Sequence, residues 1–142
     1  MPCIYVFLKQ QQTCSATVDQ TVLEIARAMV ECNIGAVPVL EDGRLVGIFS
    51  ERDLLRRVVV EGRDAGSTRV REVMTPNPLT VDPHEDAEAC RQLMGRHGFR
   101  HLPVCDGGEL KGMISLRDLL LHGLDEREEE VRMMRAYIQT GP

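Results

Sequence analysis

Between Thr21 and Asn33 the apolar residues Val22, Ile25, Ala26, Met29 and Val30 recur at steps of three and four, which predicts an amphipathic helix with Thr21 at its cap. Asn33-Ile34-Gly35 ends it. Ala36 to Leu40 reads as a strand, Glu41-Asp42-Gly43 as a turn and Leu45 to Phe49 as the returning strand of a hairpin. Pro38 cannot donate to a sheet ladder, so it predicts an edge or a bulge in the first of these strands. A second helix starts at Ser50, carries Leu54, Leu55, Val58 and Val59, and is broken by the polar, glycine-bearing run from Glu61 to Ser67.

The same order of patterns then returns. Val70 to Thr75 reads as a short helix, Pro76, Pro78 and Pro83 stiffen the chain after it, and Thr80-Val81 is a short strand. Asp86 to His97 predicts a helix with Ala87, Cys90, Leu93 and Met94 on one face, and Phe99 to Cys105 with Leu110 to Ser115 predicts a second hairpin. A helix from Leu116 to about His122 closes this unit. Beyond it, Asp125 to Gln139 sets Val131, Met134 and Ile138 at helical spacing behind a run of acids that favours a helix N-terminus. That narrow stripe packs either on its own domain or on a second chain. At the other end, Cys3 to Leu8 is apolar and β-rich and Lys9 to Thr13 is polar, consistent with a strand against the sheet or a frayed lead-in.

The return of the pattern is a sequence repeat at a fixed offset of 65 positions. Gly47-Ile48-Phe49-Ser50-Glu51-Arg52-Asp53 matches Gly112-Met113-Ile114-Ser115-Leu116-Arg117-Asp118 at the glycine, serine, arginine and aspartate, and Pro38, Val39, Gly43, Leu45, Leu54 and Leu55 match Pro103, Val104, Gly108, Leu110, Leu119 and Leu120. The architecture expected is one supersecondary unit duplicated and packed against its copy, each copy being too small to bury much alone.

These residues resemble the cystathionine β-synthase (CBS) domain: a Gly-x-x-Ser-x-x-Asp stretch behind a proline strand and hairpin, present twice across roughly residues 15–122. The resemblance implies an α+β fold of two pseudo-symmetric β-α-β-β-α repeats packed as one module, with the C-terminal helix appended. The divisions expected are a lead-in at 1–13, a first repeat at 14–61, a linker at 62–76, a second repeat at 77–122 and a helical tail at 123–142. The lead-in departs from the family in lacking the short helix that commonly precedes a repeat.

Composition narrows the functions available. With 142 residues the chain suits one compact domain with a shared core and is short for an enzyme with a separate catalytic domain. Net charge is −5, and Arg52, Arg56, Arg57, Arg96 and Arg100 are mixed with carboxylates instead of forming a basic stripe, which argues against nucleic-acid binding. The five cysteines, Cys3, Cys14, Cys32, Cys90 and Cys105, have no Cys-x-x-Cys spacing and read as reduced thiols, several of them small core residues, in a cytoplasmic protein. No apolar run has the ~20 residues a membrane span needs, and Ile4 to Leu8 is too short for a signal-peptide core.

The candidate chemistry sits where strand passes into helix. A helix N-terminus offers unpaired N–H groups to an anion. A carboxylate one turn in, at Asp53 or Asp118, suits the paired hydroxyls of a ribose, and Arg52 and Arg117 suit phosphate. The resemblance implies a site for an adenine nucleotide, an AMP, ATP, NAD or S-adenosylmethionine type of ligand. It assigns Asp53 and Asp118 to ribose, Ser50 and Ser115 to phosphate, and Ala36-Val37 and His101-Leu102 to adenine, with Thr17 and Thr80 as further candidates. Ser-x-x-Asp is also a capping box, in which serine and acid satisfy backbone donors without a ligand. His97, His101 and Cys105 straddle a change from helix to strand, so their equal spacing does not gather them on one face for a metal. No cysteine stands in a strand-to-helix turn beside a base, as a nucleophile requires. The function expected is a regulatory, non-catalytic nucleotide-binding module, dimeric, acting on an unidentified partner protein; the alternative is an interaction module that acts through dimerisation without a ligand.

Overall fold

The computed structural model of the chain describes residues 4, 8 and 14–140, which form an α+β fold of two repeats. The first contains β1 (Ala16–Thr17), α1 (Val22–Cys32), β2 (Ala36–Glu41), β3 (Arg44–Ser50) and α2 (Glu51–Asp53), whose continuation Leu54–Val59 is wound as a π-helix. After α3 (Val70–Val73) and β4 (Thr75–Pro76), the second contains α4 (Ala87–His97), β5 (His101–Asp106), β6 (Glu109–Ser115) and α5 (Leu116–Thr140).

Local chemistry sets these boundaries. The Thr21 side chain accepts from Glu24 N–H at the start of α1, and Asn33 closes the helix in the left-handed region, at φ 53°. Asp86 caps α4 in the same way, and Gly98 ends it at φ 72°. In the β2–β3 hairpin Asp42 and Gly43 both take positive φ, 51° and 78°, as a two-residue turn of type I′ demands.

The first sheet has the order β1-β2-β3-β4, with β1 parallel to β2 and the rest antiparallel. Pro38 pairs with Ile48 on β3, but β1 reaches β2 only at Val39 and Leu40, so the proline faces an edge one residue from the bulge at Val39/Leu40. Pro103 repeats this arrangement beside the bulge at Val104/Cys105. The short strand expected at Thr80-Val81 is a single parallel bridge, Val81 to Val104. β4, within the segment expected as linker, adds a strand to the first sheet instead.

Burial departs from the shared core expected for this length. One cluster is built on Val22, Ile25, Met29, Val37, Val39, Phe49 and Val58, and takes in Val70 and Val73 of α3. The other is built on Cys90, Met94, Leu102, Val104 and Ile114, and takes in Ile4, whose N–H donates to the Glu85 carbonyl at 2.9 Å. The rest of the expected lead-in strand, Leu8 apart, lies outside the described residues.

Two helix expectations are corrected. Winding Leu54–Val59 as a π-helix buries Val58 and turns Leu55 and Val59 outward. The two helices expected at Leu116–His122 and Asp125–Gln139 are one continuous helix, α5, that runs through Gly123. Its distal stripe, Val131, Met134 and Ile138, is left exposed among the described residues, Ile138 at 75%. Among the described residues no helix is long and apolar enough to cross a membrane.

Candidate functional site

The two repeats enclose a cleft of about 540 Å³. Its first wall is built from Gly35, Ala36, Ile48, Ser50, Asp53 and the outer face of the helix after them, with Arg52, Leu55, Arg56 and Arg57. Its second wall is the end of α4 and the start of β5, from His97 to Pro103, and Thr75, Pro78 and Leu79 bridge the two.

Half of the candidate residues meet there: Ala36, Ser50, Arg52, Asp53, His101 and Leu102. Val37 instead packs in the first core, and Thr17 lies exposed in β1 with its N–H donating to Gln20 Oε1 at 2.9 Å. Thr80 is exposed beside the cleft residue Leu79 and does not line the cleft, and Ser115, Arg117 and Asp118 stand outside this lining too. Spacing left out several lining residues. Arg56 follows Arg52 by one helical turn, a signal present in the sequence, whereas Thr75, Leu79 and Phe99 reach the cleft only because the repeats face each other.

The two Ser-x-x-Asp turns differ. In the first, Ser50 Oγ accepts Asp53 N–H at 3.2 Å, and Asp53 Oδ2 accepts Ser50 N–H at 3.0 Å and the Ser50 hydroxyl at 3.1 Å, a complete capping box. Asp53 Oδ1 accepts the Thr75 hydroxyl at 3.2 Å and faces Arg57 Nε at 3.8 Å. This buried carboxylate therefore has protein partners on both oxygens. Arg57 is committed as well, donating to the Val73 and Met74 carbonyls at 3.3 and 2.8 Å, which ties the helix to the linker. In the second turn Ser115 Oγ accepts Asp118 N–H at 3.1 Å, and among the described residues the Asp118 carboxylate returns no hydrogen bond to the serine.

Gly47 also has a structural reason. A Cβ there would overlap the Met74 side chain and stand 3.0 Å from the Thr75 carbonyl oxygen, so the close approach of β4 to β3 requires glycine.

His101 connects the two turns. Burial holds its imidazole below the ordinary value of 6.5, while Glu51 and Asp118 pull it upward and Arg100 pushes it down. The ring thus feels carboxylates from both repeats. On the first side, a Cβ on Gly35 would lie 3.4 Å from both the Glu51 carboxylate and the His101 ring. His97 is exposed and stacks on Phe99 at 5.3 Å between ring centroids. Among the described residues no three His, Cys, Asp or Glu side chains gather in a metal-holding group.

Comparison with known proteins gives a consistent picture. The chain is 38% identical over 111 residues to the CBS domain-containing protein YhcV of Bacillus subtilis, covering 78% of this chain and 79% of that one. It is 37% identical over 130 residues to the mitochondrial CBS domain-containing protein CBSX3 of Arabidopsis thaliana, covering 88% of this chain and 63% of the relative's length. Among solved structures, CBSX2 in complex with AMP superposes with a TM-score of 0.74 at 25% identity, covering 89% of this chain and 99% of that one. Residues 14–60 and 70–125 match the CBS domain itself, and the chain belongs to that family as a pair of repeats.

Proposed function

We propose that the chain is a regulatory, non-catalytic module that binds an adenine nucleotide between its two CBS repeats and passes the change to a partner protein. The observation that carries this reading is the cleft itself, where Ala36 of β2 and His101 and Leu102 of β5 line the same space as Arg52 and Arg56, whose side chains make no ion pair among the described residues. Apolar side chains and guanidinium groups lining one cleft fit a base at one end and phosphate at the other. The relative CBSX2 forms a complex with AMP, which supports the ligand class. We assign the adenine to Ala36, His101 and Leu102 and the phosphates to Arg52 and Arg56. With Asp53 committed to the fold, Asp118 is the better-placed ribose carboxylate, in a second site related to the first by the repeat.

Titration calorimetry with AMP, ATP, NAD and S-adenosylmethionine tests the reading. Saturable binding of any one supports it, and no heat and no thermal stabilisation from all four overturns it. A second reading, an interaction module that works by dimerisation alone, is favoured by the completed capping box at Ser50, which needs no ligand. We propose a homodimer under either reading. Leu55 and Leu120 occupy matching positions in the two repeats and are 59% and 49% exposed, giving the module a repeated apolar face suited to two-fold pairing.

A further inference from the structure

We infer that Cys14 and Cys32 form a reversible disulfide that latches the entry of β1 to the end of α1. Two independent features bring them together. Val22, Ile25 and Met29 are the buried stripe of α1, and Cys32, three residues past Met29, stands on the same side of the helix at its exposed terminus. Cys14 lies two residues before β1, and the parallel register Ala16–Val39 and Thr17–Leu40 carries it back to the level of Val37, at the start of the strand that α1 feeds. Cys14 packs against the first core, its thiol meets that of Cys32, and both are free.

Their environments divide the chemistry. Cys32 is exposed and open to a small oxidant, whereas burial and the neighbouring Cys32 sulfur push the Cys14 thiol up to about 11. With a low-molecular-weight disulfide such as oxidised glutathione, the Cys32 thiolate attacks one sulfur and releases one glutathione thiolate. Cys14 then gives up its proton and attacks the Cys32 sulfur, releasing the second. Two protein thiols lose two electrons and two protons, and the glutathione disulfide becomes two thiols. Cys90, buried in the second core, has no such access.

The link encloses all of α1, and the helix leads through Asn33 to Gly35 and Ala36, the first wall of the cleft. Oxidation therefore fixes one wall; an effect on nucleotide affinity rests on the function proposed above, but the disulfide itself does not.

The test equilibrates the full chain with oxidised glutathione at mildly alkaline pH, blocks remaining thiols and maps the peptides by mass. The expected product is a monomer-internal peptide pair joining Cys14 to Cys32, absent from Cys32→Ser, with the melting midpoint raised by roughly 5–10 °C and restored by reductant. A glutathione adduct left at Cys32, a link through any other cysteine, a link between chains, or a linked protein that melts no higher overturns the inference.

Discussion

The carboxylate of Asp53 accepts the backbone N–H of Ser50 at 3.0 Å while the Ser50 hydroxyl accepts the backbone N–H of Asp53 at 3.2 Å. A motif that looks built for a ligand is, in this repeat, already closed on itself. Its counterpart at Ser115 and Asp118 keeps the serine's half of the exchange, from hydroxyl to Asp118 N–H at 3.1 Å.

This asymmetry separates two otherwise matching substitutions. Asp53→Ala removes the box and the partner of Thr75, and should lower unfolding free energy by about 1–2 kcal/mol. Asp118→Ala leaves the serine-to-backbone bond in place and should change the stability of the empty protein by less than about 0.5 kcal/mol. It should weaken nucleotide binding at the proposed second site roughly ten- to a hundredfold. Urea unfolding and calorimetric titration on both variants check the pair; equal stability losses would remove the distinction.

Gly47→Ala should destabilise by about 1–3 kcal/mol, because the added methyl meets Met74 and the Thr75 carbonyl oxygen at 3.0 Å. Gly95→Ala, where a Cβ meets nothing within 4 Å in the last turn of α4, is the control and should be neutral or slightly stabilising. Denaturant midpoints of the two variants give the comparison.

The depressed His101 imidazole implies a pH dependence whose sign is fixed. Between the ordinary value of 6.5 and the lower folded value, the unfolded chain binds a proton that the folded chain does not, so stability falls as pH drops through that window. His101→Gln should flatten this part of the profile. Urea midpoints at neutral and mildly acidic pH, for both proteins, measure it.

Sedimentation equilibrium should give twice the 15.9 kDa chain mass at micromolar concentration. Charging the repeated apolar face with Leu55→Lys and Leu120→Lys should shift the mass to one chain, whereas deleting residues 125–142 asks whether the distal half of α5 contributes. A wild-type mass of 15.9 kDa at that concentration ends the dimer proposal.

Where the sequence was informative, the reason was periodicity. The faces of α1 and α4 and both hairpins follow from spacing within a dozen residues, and the repeat offset carries each reading onto its copy. The failures involve partners distant in sequence. Gly47 owes its identity to Met74 and Thr75, and the cleft owes Leu79 and Phe99 to the juxtaposition of two units. Gly123 interrupts the pattern locally, but a single glycine costs a helix only about 1 kcal/mol, so α5 passes through it. Leu54, Leu55, Val58 and Val59 were legible as apolar, but a π-helical turn rotates which of them face inward.

The continuity of α5 makes it a mechanical lever. Its 25 residues span roughly 37 Å at about 1.5 Å each. It is rooted at Ser115, one strand away from His101 in the β5–β6 ladder, and its far end stands clear of the body. A rotation of about 5° at the root sweeps the tip through about 3 Å by the geometry of a rod that long. A displacement too small to disturb packing around Leu119 thus becomes, at Tyr137 and Ile138, a movement of nearly a side chain's width.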